Sequence, residues 1–566
     1  MKFPALYQSS QQRDMIRAFR GLARTSLVDA DQFCATENLS ARLYPAAATR
    51  EARGKIATLE KPNGLHAHDG LVWVDGTSLF YKGIKIGDVS DTEKTFVSMG
   101  AYVYIWPDKM RFSTQEETPA LEALEASITT TGQVAMTLSR MDGNDYAYTS
   151  SEDAPAKPES GQFWLDTSGD EPVLRVYSAA TGLWGQVLQT CVKFGATGIG
   201  TGFAAGDGVT ISGVNDEERN GDFVVQSAGE DFVCVPGMLA EPLTQTEPIT
   251  IARAVPEMDF VCQHDNRLWG CSSKAHEIYA SKLGDGKNWR VYAGLSTDSY
   301  AATVGSAGNF TACVAHAGHV IFFKEHIIHA MYGTQPSNFQ LQDTPARGVQ
   351  AGSEKSAIAV NETLFYLSPE DICAFSMALP YGVSEALGPE RLEEAAAGVC
   401  GGVYYLSARR NGQWEMLTFD TEKGIWYRED EMHATHFAQH ERDLYFLTQA
   451  GEIWCVRGTA GEREKTMTWA AETGDIGIEQ PDNSYVSCVQ VRLGLPYGSH
   501  AEIYARYDEE VFWRHIADVQ SGYESRETAT PIWPRRCDRM RIKIRGSGGA
   551  VLYSVSKSLE KGSEVR

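Results

Sequence analysis

The feature that most limits how this chain can fold is a phrase that it repeats. An alternating stretch leads to a turn, then a strongly apolar run, a second turn, and a third stretch carrying an aromatic residue. Seven segments follow that grammar: 64–83, 94–113, 259–282, 310–333, 355–377, 394–430 and 433–458. The later ones start roughly 35–50 residues apart, the spacing of one blade in a radial array. Their apolar runs, "RLWGC", "VIFFK", "TLFYL", "GVYYL" and "DLYFL", suit strands covered on both faces. Asp265-Asn266, Ala317-Gly318 and Asn361-Glu362 stand where hairpin turns would join such strands. A lone sheet of three or four strands cannot bury both its faces. Set radially, each sheet covers its neighbours and leaves only short edges. The repetition therefore predicts an all-β chain built on a β-propeller of six or seven blades, with an open array of β-sandwiches as the alternative.

Two regions break the pattern. Between Pro119 and Arg253 the chain first offers a short helix-like stretch, "TPALEALEASI", with Leu121 and Leu124 on one face. A linker, "TSSEDAPAKPESG", follows, then a compact β-unit, "QFWLDTSGDEPVLRVYSAATGLWGQV", and a Gly-rich set of short strands. This reads as a small β module inserted at a propeller edge. After residue 460 the alternation lengthens, as in "VQVRLGL", "AEIYARY" and "MRIKIRG", which predicts a C-terminal antiparallel β-sandwich with one buried and one wet face per sheet. The expected divisions are 1–56 as an N-terminal arm, 57–128 as the first blades, 129–253 as the inserted module, 254–460 as the remaining blades and 461–566 as the sandwich.

Charge is unevenly spread. The net charge of the 566 residues is −23. Residues 1–55 balance at +4 and 465–566 at zero, so the stretch between carries −27. Such a body repels nucleic-acid phosphates, because binding them needs clustered cations that release counterions; its acidity serves solubility and would let DNA pass without sticking. The eleven cysteines are scattered without a CxxC pair, which predicts reduced thiols packed as small hydrophobes rather than a disulfide framework. No run of 18 apolar residues and no secretory leader is present, so a soluble protein made in a cytoplasm, without membrane insertion, is expected.

The usual catalytic signatures are absent: there is no G-x-S-x-G, no HExxH and no P-loop, since "GATGIGTGFAAGDG" lacks the Gly-Lys-Ser/Thr ending. Histidines occur in small groups, His66/His68, His316/His319, His326/His329 and His433/His436/His440, but their spacings scatter them over opposite strand faces, so no metal centre is expected. "DGNDYAYTSSED" concentrates oxygen ligands but lacks the twelfth-position Glu of a calcium loop and reads as a solvated linker. No cofactor is implied. Trp164 and Trp184 flank the compact polar unit; they read either as core aromatics of a very small domain or as a platform for flat ligands such as sugars. In the N-terminal segment Arg13, Arg17, Arg20 and Arg24 recur every three to four residues around Phe19, and Arg42, Tyr44, Arg50 and Arg53 follow. Arginine in that pattern fits either a cover over the acidic body or a subunit interface using bidentate carboxylate contacts.

The phrases "FRGLARTSLVDADQFCATENLSARLYPAAATREARGK", "VSMGAYVYIWPDK", "PEMDFVCQHDNRLWGC", "YGTQPSNFQ" and "RRCDRMRIKIRGSGGAVLYSVSKSLEKGS" resemble a group of virion proteins of Firmicutes phages and prophages, and the likeness runs along nearly the whole chain. That group looks similar to propeller-bearing tail nozzle and hub proteins. The resemblance implies a non-enzymatic tail component, located in the virion and assembled in the bacterial cytoplasm. It further implies a homo-oligomeric ring, sixfold by preference, that contacts other tail proteins and conducts genomic DNA. The alternative is a peripheral receptor-binding protein that recognises host surface glycans through the inserted module. A glycan-cleaving propeller is a third option.

Overall fold

The computed structural model describes residues 12–477, 484–521, 526–535, 537 and 539–561. Among them the regular structure is β, broken only by four single-turn 3-10 helices, the longest-range pairing being antiparallel. The stretch expected to be helical is not: Glu122–Ala123 and Ala126–Thr129 are strands, and Ala126–Thr129 pairs with Thr250–Arg253. The spacing of Leu121 and Leu124 suits a helix, yet pairing with a strand more than 120 residues away decided the outcome, as tertiary context commonly does over a short periodic run.

The chain forms two compact units. The first comprises Met1–Lys94, Phe323–Ile328 and Thr344–Arg566. It holds four of the repeated sheets. One runs Pro62–Ala67, Leu71–Asp75, Ser78–Tyr81 and Ile84–Asp88. The next two span 358–382 and 392–428. In the fourth, Ala434–His440, Asp443–Thr448 and Glu452–Cys455 are completed by Gly54–Thr58 from near the start of the chain. Their second strands are the apolar runs: in Thr363–Leu367 four of five residues are buried, and in Asp443–Thr448 five of six. The hairpin at Asn361-Glu362 has both residues at positive φ, 46° and 65°, the conformation whose twist matches the flanking strands.

Two further sheets in this unit share one core. The first joins Leu39–Ser40, Ala47–Thr49, Val551–Lys561, Ser484–Leu495 and Arg526–Ile532, with Gln12–Ile16 alongside Val551–Lys561. The second joins Phe33–Glu37, Thr468–Thr473, Met540–Ser547, His500–Tyr507 and Arg514–Gln520. Strict alternation in His500–Tyr507 turns Ala501, Ile503 and Ala505 inward against Val489, Val491, Leu493 and Ile544. The N-terminal segment thus contributes strands to both sheets: Phe33 lies opposite Thr473 and Gln12 opposite Leu559.

The second unit comprises Thr95–Phe322 and His329–Asp343. It contains the repeated sheets of 95–123 and 260–303. Asp265-Asn266 again has both φ values positive, 46° and 56°. A further repeated sheet runs Ala312–His316, His319–Lys324, Ile327–Tyr332 and Gln340–Pro345. The inserted module is three small sheets around a core of Val134, Met136, Leu165, Leu174, Phe194, Val209 and Ile251.

Candidate functional site

The N-terminal arginines are used within the chain. Arg53 is buried, with Nη1 donating to Asp430 Oδ2 and Nη2 to Glu429 Oε2, both at 2.6 Å. Arg50 donates from Nη1 to Glu464 Oε2 at 2.7 Å and from Nε to Asn38 Oδ1 at 2.6 Å. Burial alone would raise the Asp430 and Glu464 carboxyls, but the neighbouring arginines hold both below their ordinary values. Arg24 grips Glu415 with two bonds of 2.9 Å, and Arg20 pairs with Asp29 and Asp31 at the surface. Phe19 is buried and stacks on Phe33 at 5.4 Å. Arg13, Arg17, Arg42 and Tyr44 are exposed; Arg42 Nε donates to the Thr49 carbonyl at 2.7 Å.

A cavity of about 370 Å³ opens beside this cluster, lined by Arg50, Tyr405, Asp420, Tyr427 and Glu429. Its carboxylates are already engaged, Glu429 by Arg53 and Asp420 by Lys423 at 2.6 Å each. The pocket therefore offers a charged floor in balance rather than a poised acid and base.

A Ser–His–Asp line, invisible in the sequence because its members lie on separate strands and a loop, is formed by Ser306 Oγ, 3.0 Å from His329 Nε2, and Asp343 Oδ1, 2.6 Å from His329 Nδ1. Acyl transfer needs a sheltered acid behind a serine and histidine that substrate can reach. Here the order is reversed: His329 is wholly buried and the Asp343 side chain is 56% exposed. The line ties a loop to a sheet. None of the histidine groups singled out in the sequence gathers three ligand atoms among the described residues.

The arrangement that faces outward lies in the inserted module. There Tyr148–Ser151 pairs in parallel with Phe163–Asp166, which pairs with Val173–Ser178 and then Leu183–Gln186. Alternation sends Leu165 and Leu174 into the core. The opposite face carries Trp164, Asp166, Arg175, Tyr177, Trp184 and Gln186, with Trp164 opposite Arg175 and Tyr177 opposite Trp184. The Trp184 ring lies 5.4 Å from Trp164 and 5.3 Å from Tyr177, edge-on and tilted respectively. The sequence pair is thus brought together, but the two rings differ. Trp164 is 6% exposed and its Nε1 donates to the Ser151 carbonyl at 3.0 Å, so it is the support. Trp184 and Tyr177 are half-buried, with Leu183 and Gln186 exposed beside Trp184. Ser168 Oγ, at 2.6 Å, and Arg175 Nε, at 2.8 Å, both donate to Asp166 and hold its carboxyl below the ordinary value. The face therefore joins an aromatic ledge to a fixed carboxylate–guanidinium pair. Arg175, Tyr177 and Gln186 were not singled out in the sequence; Gln186 stands two residues after Trp184, while Arg175 and Tyr177 reach the face only by strand pairing.

No family model and no curated protein matches the chain. Solved structures do. An exo-β-1,3-galactanase from Phanerochaete chrysosporium with galactose matches at 9% identity and TM-score 0.22, over 52% of this chain and 94% of that one. BamB from Moraxella catarrhalis matches at 9% identity and TM-score 0.25, over 71% and 97%. A family 43 arabinoxylan arabinofuranohydrolase from Bacillus subtilis matches at 8% identity and TM-score 0.18, over 54% and 95%. TM-scores this low transfer no residue and no activity to this chain. The names are those of a galactanase, an arabinofuranohydrolase and BamB, where the resemblance read in the sequence implied tail proteins. The assignment to the virion group, the DNA-conduit function and the exclusion of enzymatic activity are accordingly withdrawn.

Proposed function

We propose that this protein binds glycans on the Trp184–Tyr177 face of its inserted module, and that its repeated sheets close into a propeller that carries the module, with the two C-terminal sheets packed as a sandwich. Six four-stranded repeats, and a seventh sheet over 434–455 to which Gly54–Thr58 from near the chain start adds a strand, support closure. Without such a strand Glu452–Cys455 would keep an unpaired edge.

The observation that carries the glycan reading is the pairing of Trp184 and Tyr177 on the face turned away from the module core, next to Asp166 and Arg175. A pyranose ring presents an apolar patch of C–H bonds and a rim of hydroxyls. The patch stacks on an aromatic ring, and the rim asks for donors and acceptors held in fixed directions. Trp184 supplies the first; Arg175, held in place by Asp166, and Gln186 supply the second. Support from buried Trp164 keeps the ledge in place without ordering it at the moment of binding, which lowers the entropic cost.

Probing the full chain on a glycan array, followed by calorimetry with the best sugar, tests this. Saturable binding that Trp184→Ala removes, with unchanged thermal unfolding, is the expected result. Binding to no glycan, or binding that survives Trp184→Ala together with Tyr177→Ala, overturns it.

A further inference from the structure

We infer that the sheet containing His500–Tyr507 and Arg514–Gln520 carries a site for a divalent transition metal of the zinc type, held by His500, Glu502 and Asp518. Three observations lead there. The ligand atoms of these three side chains all lie within 4.8 Å of one another, with His500 Nε2 and Asp518 Oδ1 at 3.9 Å. Strand alternation puts His500 and Glu502 on the same outward face, and Glu502 stands directly opposite Asp518. Zinc bonds of about 2.0–2.2 Å to nitrogen and oxygen place neighbouring ligands a little over 3 Å apart, so the three side chains need only a modest inward rotation, and all three are solvent-accessible enough to make it.

The second observation is a bulge. Residues 515 and 518, three apart, would fall on opposite faces of a regular strand. The register shifts between Ile503 and Tyr504, so that Tyr504 faces His515 while Ile503 faces Ala517. The extra residue turns His515 back onto the face of Asp518, and His515 Nε2 lies 3.0 Å from Asp518 Oδ1. Bulges re-aim side chains in this way where a strand serves a site. His515 is placed to orient Asp518.

The third observation concerns Glu502. Tyr504 Oη and Arg545 Nε each donate to the same oxygen, Oε2, both at 2.6 Å. The pair fixes the carboxylate by one oxygen. Outer partners that orient a ligand by its second atom are a regular part of metal sites. One imidazole with two carboxylates supplies three ligands, the charge of Glu502 being shared with Arg545, and leaves a position for water. Imidazole selects the zinc-like metals, and three donors fall well short of the six to eight oxygens that calcium takes.

The test uses the full folded chain, stripped with a chelator and with its accessible thiols alkylated, because the half-buried Cys34, Cys262, Cys488 and Cys537 would otherwise compete. Titration with ZnCl2 by calorimetry should give one saturable site per chain, and cobalt(II) should give visible absorption of tetrahedral intensity. His500→Ala and Asp518→Asn should each weaken binding by at least about a hundredfold, and Tyr504→Phe by about tenfold through loss of orientation. CaCl2 should not compete, and Trp184→Ala should leave the titration unchanged. No saturable zinc binding by the wild-type chain, or equal binding by the His500→Ala/Asp518→Asn double variant, overturns the assignment.

Discussion

The Arg50–Arg53 cluster and the Trp184 face are made of residues equally conspicuous in the sequence, and the fold treats them in opposite ways. Arg53 is 1% exposed, ringed by Glu429 and Asp430, with Arg50 on Glu464. Trp184 keeps part of its ring open beside Tyr177. A buried charge is tolerated only when paired and hydrogen-bonded, so its partners are bound to lie in the same chain and near it. An aromatic ring carries no such obligation and can stay at a surface where one face has something left to contact. The lesson is that a dense arginine pattern marks a place where charge must be answered, whereas a tryptophan pair needs its degree of burial measured before it means anything.

Removal of Arg53 should have the largest effect. Arg53→Ala leaves buried Glu429 and half-buried Asp430 with only Arg50, 3.9 Å from each, a loss of about 3 kcal/mol, read as a lower denaturant midpoint. If the midpoint stays put, the cluster is not the internal staple described. Trp164→Ala should come next, about 3 kcal/mol from the cavity beneath the ledge, seen as earlier unfolding of the module by hydrogen exchange. Trp184→Ala is the counterpart: at least about tenfold weaker glycan binding with little change in stability, because the ring is only half-buried. Equal behaviour of the two tryptophan variants would dissolve the distinction between support and platform.

The same pair of regions should separate with pH. Burial, with a smaller push from His68, lowers His66 from 6.5 to about 4, and burial likewise lowers His436. A group with a lowered folded value binds protons more readily when unfolded, so its stabilisation is full above pH 6.5 and drains away as pH falls toward 4. Asp430 and Glu464, ordinarily at 3.8 and 4.5, are also held low, and their contribution fades only at more acidic pH. The module, residues 126–253, contains no histidine, and Asp166 stays ionised in that range. Between pH 7 and 5 the thermal midpoint of the first unit, which holds His66 and His436, should therefore fall while glycan affinity holds. His66→Asn should flatten the first trend. Last in size is Arg20→Ala: its pairs with Asp29 and Asp31 are exposed, and calorimetry should show a change of about 0–1 kcal/mol.

Much of the strand inventory was legible because apolar runs and turn chemistry are local. Asp265-Asn266, Ala317-Gly318 and Asn361-Glu362 all adopt the positive φ values their hairpins require. Leu121 and Leu124 misled because two residues on one helical face carry little weight against a distant strand partner. The Ser306–His329–Asp343 line and the His500–Glu502–Asp518 group were illegible for a related reason: their members meet only through the pairing of strands.

By itself, then, the sequence determined an all-β chain of repeated short sheets, since alternation and turns depend on neighbours along the chain. Only the tertiary structure decided that the N-terminal strands join the C-terminal sheets, that Arg53 is buried and Trp184 is not, and which histidine meets two carboxylates. Strand pairing across several hundred residues sets all three, and no local pattern encodes the register at which two distant strands meet.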